Sequence, residues 1–213
     1  MAPAKTGHDG FEGATGRVAG AVMARFNRDM ENAAIDELGP RVGDAVLAVG
    51  FGPGVGLAEL VDRVPDGLVA GIDPSATMVA QATRRNRAAV VAGRVDITRA
   101  RAEAIPWRDD RFDGVLAVNS IQLWEPLEAG LDEVARVLRT GGVFVALTHD
   151  WAIEKAHPLP EWLEAATALL EERGFGRIAV RKGQFRSGNG TVLRSVLLRS
   201  CNQTAPEGRG RAV

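Results

Sequence analysis

Val46-Leu-Ala-Val-Gly50-Phe-Gly52-Pro-Gly54-Val-Gly56 places four glycines at alternate positions directly behind an apolar run. The run predicts a strand over Ala45 to Val49 buried on both faces, and the residues that follow, Val55 to Val64, read as a helix. The glycines therefore occupy a strand-to-helix turn, where they permit positive φ and a close approach of backbone to ligand. The helix beyond turns unpaired N–H groups and its positive dipole end toward the same place, which suits an anionic or polar ligand. The dinucleotide fingerprint G-x-G-x-x-G does not fit. Counted from Gly50 its last glycine falls on Val55, and counted from Gly52 it falls on Leu57. What remains is G-x-G-x-G-x-G, followed at the end of the next predicted strand by Asp73, a carboxylate able to accept from both hydroxyls of a ribose.

Outward from this turn, strands and helices alternate. Leu68 to Ile72 predicts a second buried strand, Ser75 caps a helix running to about Val91 that Gly93 closes, and Arg94 to Thr98 and Phe112 to Val118 are the third and fourth strands. Leu127 to Leu138 is a helix stopping at Gly141-Gly142, before a fifth strand from Val143 to Thr148; Glu161 to Arg173 is another helix, ended by Gly174. Two last strands, near Arg177 to Arg181 and Thr191 to Arg199, flank the Gly-rich stretch Gln184 to Gly190 as a hairpin. Ahead of the first strand, Val18, Val22, Phe26, Met30, Ala34 and Leu38 recur four apart, an amphipathic helix over 14-38 ended by Gly39-Pro40. The alternation implies right-handed crossovers and an α/β doubly wound sheet of seven strands, mainly parallel with an antiparallel edge strand, in three α/β/α layers. One domain over 14-201 is expected, with 1-13 and 202-213, rich in Gly, Pro, Ala and charge, as flexible tails.

Composition removes several classes of function. The 213 residues suit one domain with a large core, and 46% hydrophobic with 25% charged residues fits neither a disordered nor a fibrous chain. A net charge of -1 lacks the cationic footprint of a dedicated nucleic-acid binder. Cys201 stands alone, so no intramolecular disulfide and no Cys-based zinc site is available, and His8, His149 and His157 are too scattered to form a metal site. No stretch approaches the ~20 apolar residues of a membrane helix, and the N-terminus carries no signal-type run. The expected setting is a reducing cytoplasm, with no membrane partner and no metal.

Taken together, several blocks resemble the class I S-adenosylmethionine-dependent methyltransferases, in particular the small-molecule, type 11-like branch, over about residues 42 to 148. Ala48-Val-Gly50-Phe-Gly52-Pro-Gly54 is similar to the methionine-binding loop, and Gly71-Ile-Asp73-Pro-Ser75 with Met78 to the ribose and adenine block. Ala102-Glu-Ala-Ile-Pro-Trp107, then Phe112-Asp-Gly-Val, resembles the adenine-proximal loop and fourth strand; Val137-Leu-Arg-Thr-Gly141-Gly142 resembles the turn before the fifth. The resemblance implies a Rossmann-like fold, S-adenosylmethionine as cofactor with S-adenosylhomocysteine as product, and cofactor contacts from Gly50, Phe51, Gly52, Gly54, Asp73, Pro74, Met78, Ala102, Glu103 and Asn119. There are two departures. The acid that relatives often place two before Glu103 is Arg101 here, leaving backbone groups of Ala102 and Glu103 to meet the adenine amine. Asn119-Ser-Ile-Gln122 replaces the Asn-Pro-Pro-aromatic motif of relatives that methylate nucleobases or glutamine, which argues against those substrates.

Methyl transfer from a sulfonium is an in-line displacement, so positioning and desolvation supply much of the acceleration and no particular base is obligatory. Should the acceptor be a hydroxyl, His149 is the first candidate base, with Asp150 beside it and His157 a weaker third. Gln122, Trp124 and Trp151, after the fourth and fifth strands, would contact a small-molecule acceptor, and a homodimer is allowed for. Plainer readings stand beside these. Glu103 reads equally as surface charge, Trp107 as core, His149 as a polar loop residue, and Arg84, Arg85, Arg87, Arg94, Arg99 and Arg101 as a solvated face. A binding protein or non-methylating enzyme that retains the cofactor pocket is the alternative function; a nicotinamide oxidoreductase is a poorer third.

Overall fold

The computed structural model describes residues 28–186 and 192–203, with side chains described over 28–184 and 198–203. The first half of the expected helix (14–27), residues 1–13 and 204–213 of the expected tails, and part of the expected hairpin turn lie outside the described residues.

Seven strands form one sheet in the order β3-β2-β1-β4-β5-β7-β6: β1 (Ala45–Val49), β2 (Leu68–Asp73), β3 (Val95–Arg99), β4 (Phe112–Val118), β5 (Leu138–His149), β6 (Phe175–Arg186) and β7 (Val192–Asn202). Pairings from β3 across to β5 are parallel, whereas β7 runs antiparallel to both β5 and β6. The mainly parallel sheet with antiparallel pairing at one edge is as expected, with β7 one strand in from the rim and β6 forming the rim itself.

Along the central strands both alternating sets of side chains are apolar, so both faces must be covered. Val46 and Ala48 of β1, with Leu116 and Val118 of β4, pack under α1 (Arg28–Leu38), α2 (Val55–Arg63) and α3 (Ala76–Arg85) through Met30, Ile35, Leu57, Leu60 and Ala82. Leu47 and Val49, with Val115 and Ala117, face the other way, against α5 (Leu127–Val137), α6 (Asp150–Glu154) and α7 (Leu159–Glu172) through Leu131, Val134, Ile153, Trp162 and Leu170. Complete burial of such side chains contributes about 1.5–3 kcal/mol each, which makes the central strands the anchor of both layers.

Two expectations need correction. The helix expected from Ser75 to about Val91 is broken into α3 and α4 (Arg87–Val91) at Asn86. Its side-chain amide donates to Ala82 O and to Gly54 O, at 3.0 Å each, and so pins the break to the glycine turn. The fifth strand begins at Leu138 rather than Val143: Leu138 pairs with Phe112, and an irregularity between Phe112 and Gly114 absorbs the turn at Gly141, whose φ is 81°.

Candidate active site

Gly50, Gly52 and Gly54 all adopt left-handed backbone, with φ of 73°, 55° and 79°. Close packing makes a second demand on two of them. A Cβ on Gly50 would collide with that of Ser120, and one on Gly54 would lie 2.6 Å from Ala82 Cβ. The turn is tied on both sides. Gly50 N donates to Ile72 O at 2.8 Å, and Ser120 Oγ donates to Val49 O at 2.6 Å, locking the residues after β4 to the end of β1. Phe51 is buried and packs on Gly71, holding the loop from behind.

A cleft open to solvent follows the carboxyl ends of β1, β2 and β4. Gly50 and Gly52 line it, as do Asp73, Pro74 and Met78 after β2, Ala102 and Glu103, and Asn119 and Trp124 after β4. Gly54 shapes the loop without lining the cleft, and Gln122, His149 and Trp151 stand outside the lining.

Asp73 is buried, and its carboxylate binds the loop to β2: Oδ2 accepts from Gly52 N and Oδ1 from Ser75 N, both at 2.9 Å. The side chain also lines the cleft. Asn119 sits in left-handed backbone at φ 51°, and its Nδ2 donates to Met30 Sδ at 3.6 Å. Its Oδ1 is buried without a partner. An orphaned buried acceptor costs about 1–3 kcal/mol, which a donor on a ligand would relieve.

On the far side of the cleft Arg101 pairs with Glu103, so the cation at the departure from the family pattern is met by the adjacent acid. Behind them the loop is clasped by α5. Glu133 Oε2 accepts from Ile105 N at 2.7 Å, while Arg136 donates to Trp107 O at 2.7 Å, Ile105 O at 2.9 Å and Asp109 Oδ1 at 2.9 Å. The hydrogen bond from Arg136 holds the Glu133 carboxyl below the usual carboxylate range against the opposing effect of burial, and the same bond raises Arg136. Trp107 donates to Asp96 Oδ2 at 3.3 Å and meets Phe112 edge-on. Of the arginines expected on a solvated face, Arg84, Arg85, Arg87, Arg99 and Arg101 are exposed and Arg94 is half-buried; three of them also bind carbonyls, Arg85 that of Pro53, Arg94 those of Val61 and Val64, and Arg99 that of Pro74.

Gln122 bridges β4 to β5, donating to Asn119 O at 2.9 Å and accepting from Thr148 Oγ1 at 2.8 Å. His149 is buried at the start of α6 and stacks on Trp151 with ring centroids 5.9 Å apart; Lys155 Nζ covers the exposed Trp151 ring at 4.3 Å. Trp124 packs on Phe144 and closely on Gly130. Asp150 is buried with Oδ1 unpartnered, whereas His157 is exposed. Sequence reasoning missed Ser120, Asn86 and Glu31. For Asn86 a signal existed, a polar residue inside a predicted helix; for Ser120 and Glu31 none did, because their partners lie far away along the chain.

The family described as "Methyltransferase domain" matches residues 46–142. An uncharacterized methyltransferase, YdaC of Bacillus subtilis, is 33% identical over 125 residues, covering 59% of this chain and 67% of that protein. A fatty-acid O-methyltransferase of Mycolicibacterium smegmatis is 31% identical over 143 residues, 65% of this chain and 49% of that one. A ubiquinone/menaquinone biosynthesis C-methyltransferase of Geotalea daltonii is 35% identical over 103 residues, 48% of this chain and 44% of that one, so this chain spans about half the length of the latter two. Among solved structures, YcgJ of Bacillus subtilis superposes with a TM-score of 0.66 over 83% of this chain and 99% of that chain at 17% identity, which shows the fold. Among the described residues no helix is long and apolar enough to cross a membrane. Sequence blocks, sheet order, glycine cradle and relatives agree, and this chain belongs to the class I S-adenosylmethionine-dependent methyltransferases.

Proposed function

We propose that this domain methylates a small-molecule acceptor, with oxygen as the acceptor atom, from S-adenosylmethionine held along the cleft. The observation that carries the reading is the convergence of the glycine loop, Asp73, Met78, Ala102–Glu103 and Asn119 on one cleft at the carboxyl edge of the sheet. The donor set fits the cofactor. The cradle at Gly50 has no room for a side chain, Asp73 presents a carboxylate on the cleft lining, and Asn119 Oδ1 lacks a donor. The bound cofactor supplies an electrophilic methyl group on a sulfonium. The chain's own residues do the rest: Gly50 to Gly54 receive the amino-acid end, Asp73 the ribose, and Met78 with Ala102 and Glu103 the adenine, while Trp124 excludes water.

His149 is the last residue of β5, and Gln122 links that strand end to Asn119 on the cleft. An imidazole there can act as general base toward an acceptor hydroxyl. Gln122 and Trp151 are the further residues proposed to meet the acceptor. The fatty-acid O-methyltransferase among the relatives supports an oxygen acceptor, and the C-methyltransferase makes carbon the second choice.

Mass spectrometry for S-adenosylhomocysteine release, run against phenols, carboxylates, amines and activated aromatic carbons, tests this. Turnover on hydroxyl or carboxyl acceptors is expected, and His149→Ala should lower turnover on a hydroxyl by about 10²–10⁴ with cofactor affinity barely changed. Turnover confined to amines or carbon would reject oxygen as the acceptor. Full turnover by the variant would reduce His149 to a loop residue.

A further inference from the structure

Beside the cleft lies a narrow recess with about 10 Å³ of free room, lined by Glu31, Phe51, Gly56 and Leu57, which shares Val49, Gly50 and Val118 with the cleft. Glu31 belongs to α1, outside every block that carries the family resemblance, and reaches this recess only because α1 packs on α2. Its carboxyl lies against the first turn of α2. A Cβ on Gly56 would collide with Oε2 and come within 2.9 Å of Cδ. The last glycine of the loop thus makes room for a carboxyl, not for a bend.

The rest of the recess wall, including Ala48, Leu57 and Leu116, is apolar. Burial alone pushes the Glu31 carboxyl up to about 8, with no cation or hydrogen-bond donor among the described residues offsetting it. Of the ionisable groups on elements packed against α1, Arg63 of α2 pairs with Asp36, Arg139 of β5 with Asp113 of β4, and Arg199 of β7 with Glu37. Glu59 and Asp62 of α2 and His149 of β5 do not line the recess, nor do Arg28 and Asp29 of α1 itself. Met30, next to Glu31, meets Asn119, whose Oδ1 is the orphaned acceptor of the cleft.

We propose that Glu31 binds the α-ammonium group of the cofactor's amino-acid end, with Asn119 Oδ1 as a second acceptor. The assignment rests on the cofactor reading above. S-adenosylmethionine carries two cationic centres, and only the ammonium has N–H groups to donate, three of them. A half-buried carboxyl in the recess that adjoins the cleft and an unpaired amide oxygen on the cleft lining match that group and not the sulfonium, which must remain open to the acceptor. Because the empty recess favours the protonated acid at neutral pH, arrival of the ammonium expels that proton.

Calorimetry with two ligands tests this: S-adenosylhomocysteine, and 5′-methylthioadenosine, which keeps the nucleoside and sulfur but lacks the amino acid. Glu31→Gln should weaken S-adenosylhomocysteine about ten- to a hundredfold, as expected for losing a charged partner, and leave methylthioadenosine unchanged. At pH 7 the wild-type protein should release a proton on binding S-adenosylhomocysteine, seen as heat that varies with the buffer's ionisation enthalpy, and the variant should not. The variant should unfold at no lower temperature than wild type, since an amide removes the cost of desolvating a charge. Equal loss for both ligands, or for neither, overturns the assignment. Failure of the wild-type protein to bind either ligand overturns the cofactor reading and this assignment with it.

Discussion

Asp73 serves two masters in the same space. Its oxygens each accept a backbone N–H, from Gly52 and Ser75, so the carboxylate is a strut for the glycine loop as well as the ribose ligand proposed above. Asp73→Ala is therefore expected to cost more than a lost ribose contact. Affinity for S-adenosylhomocysteine should fall at least ten- to a hundredfold, from about 1.5–3 kcal/mol, and the unliganded melting temperature should fall too. Asp73→Asn, which keeps one acceptor oxygen, should fall between. Calorimetry and thermal unfolding of the pair separate the roles, and an unchanged melting temperature in Asp73→Ala would remove the strut. Glu31 makes a prediction of opposite sign. Its folded carboxyl titrates near 8 against an ordinary 4.5, so the native state keeps a proton that the unfolded chain has shed. Stability of the unliganded protein, relative to Glu31→Gln, should decline as pH rises from about 4.5 to 8. Melting curves across that window check it, and a flat difference would place the carboxyl in water.

At the scale of elements, the loop that carries Ala102 and Glu103 has no secondary structure of its own and borrows rigidity from α5. Arg136→Ala would strip donors from the carbonyls of Ile105 and Trp107 and leave Glu133 without its cation. Faster hydrogen exchange confined to residues 102–107 is expected, with weaker cofactor binding; unchanged exchange there would mean that the loop stands alone. Glu133 has a depressed carboxyl, so the clasp is fully formed above the ordinary carboxylate range and is lost only as pH falls below it. The strands were the most legible elements, because an apolar run such as Phe112 to Val118 has only a buried parallel strand to become. Helix ends were less so. The break at Asn86 depends on Gly54 O, far back in the chain, and the early start of β5 depends on Phe112; neither partner is visible locally. The same limit applies to the site. Gly50, Gly52, Asp73 and Met78 announce themselves by spacing and resemblance, but Glu31 and Ser120 matter only through neighbours that folding brings to them.

On the scale of the whole molecule, strand order reverses between β1 and β4, and the two connections that leave this point run to opposite sides of the sheet, which opens the crevice the cleft occupies. The other edge is built differently. Because β7 lies between β5 and β6, β6 has no pairing with the rest of the sheet except through β7. During synthesis β6 leaves the ribosome first, yet it cannot dock until its successor arrives. Until then β5 presents an open, apolar edge through Phe144, Val145, Ala146 and Leu147, the kind of edge that recruits strands from other chains. A protein ending at Arg186 would be one strand short on paper and two short in the sheet. It should be recovered largely as aggregate, with a soluble, cooperatively melting product refuting this. The finished edge of the fold therefore waits on its last strand, and β6 and β7 must dock together or not at all.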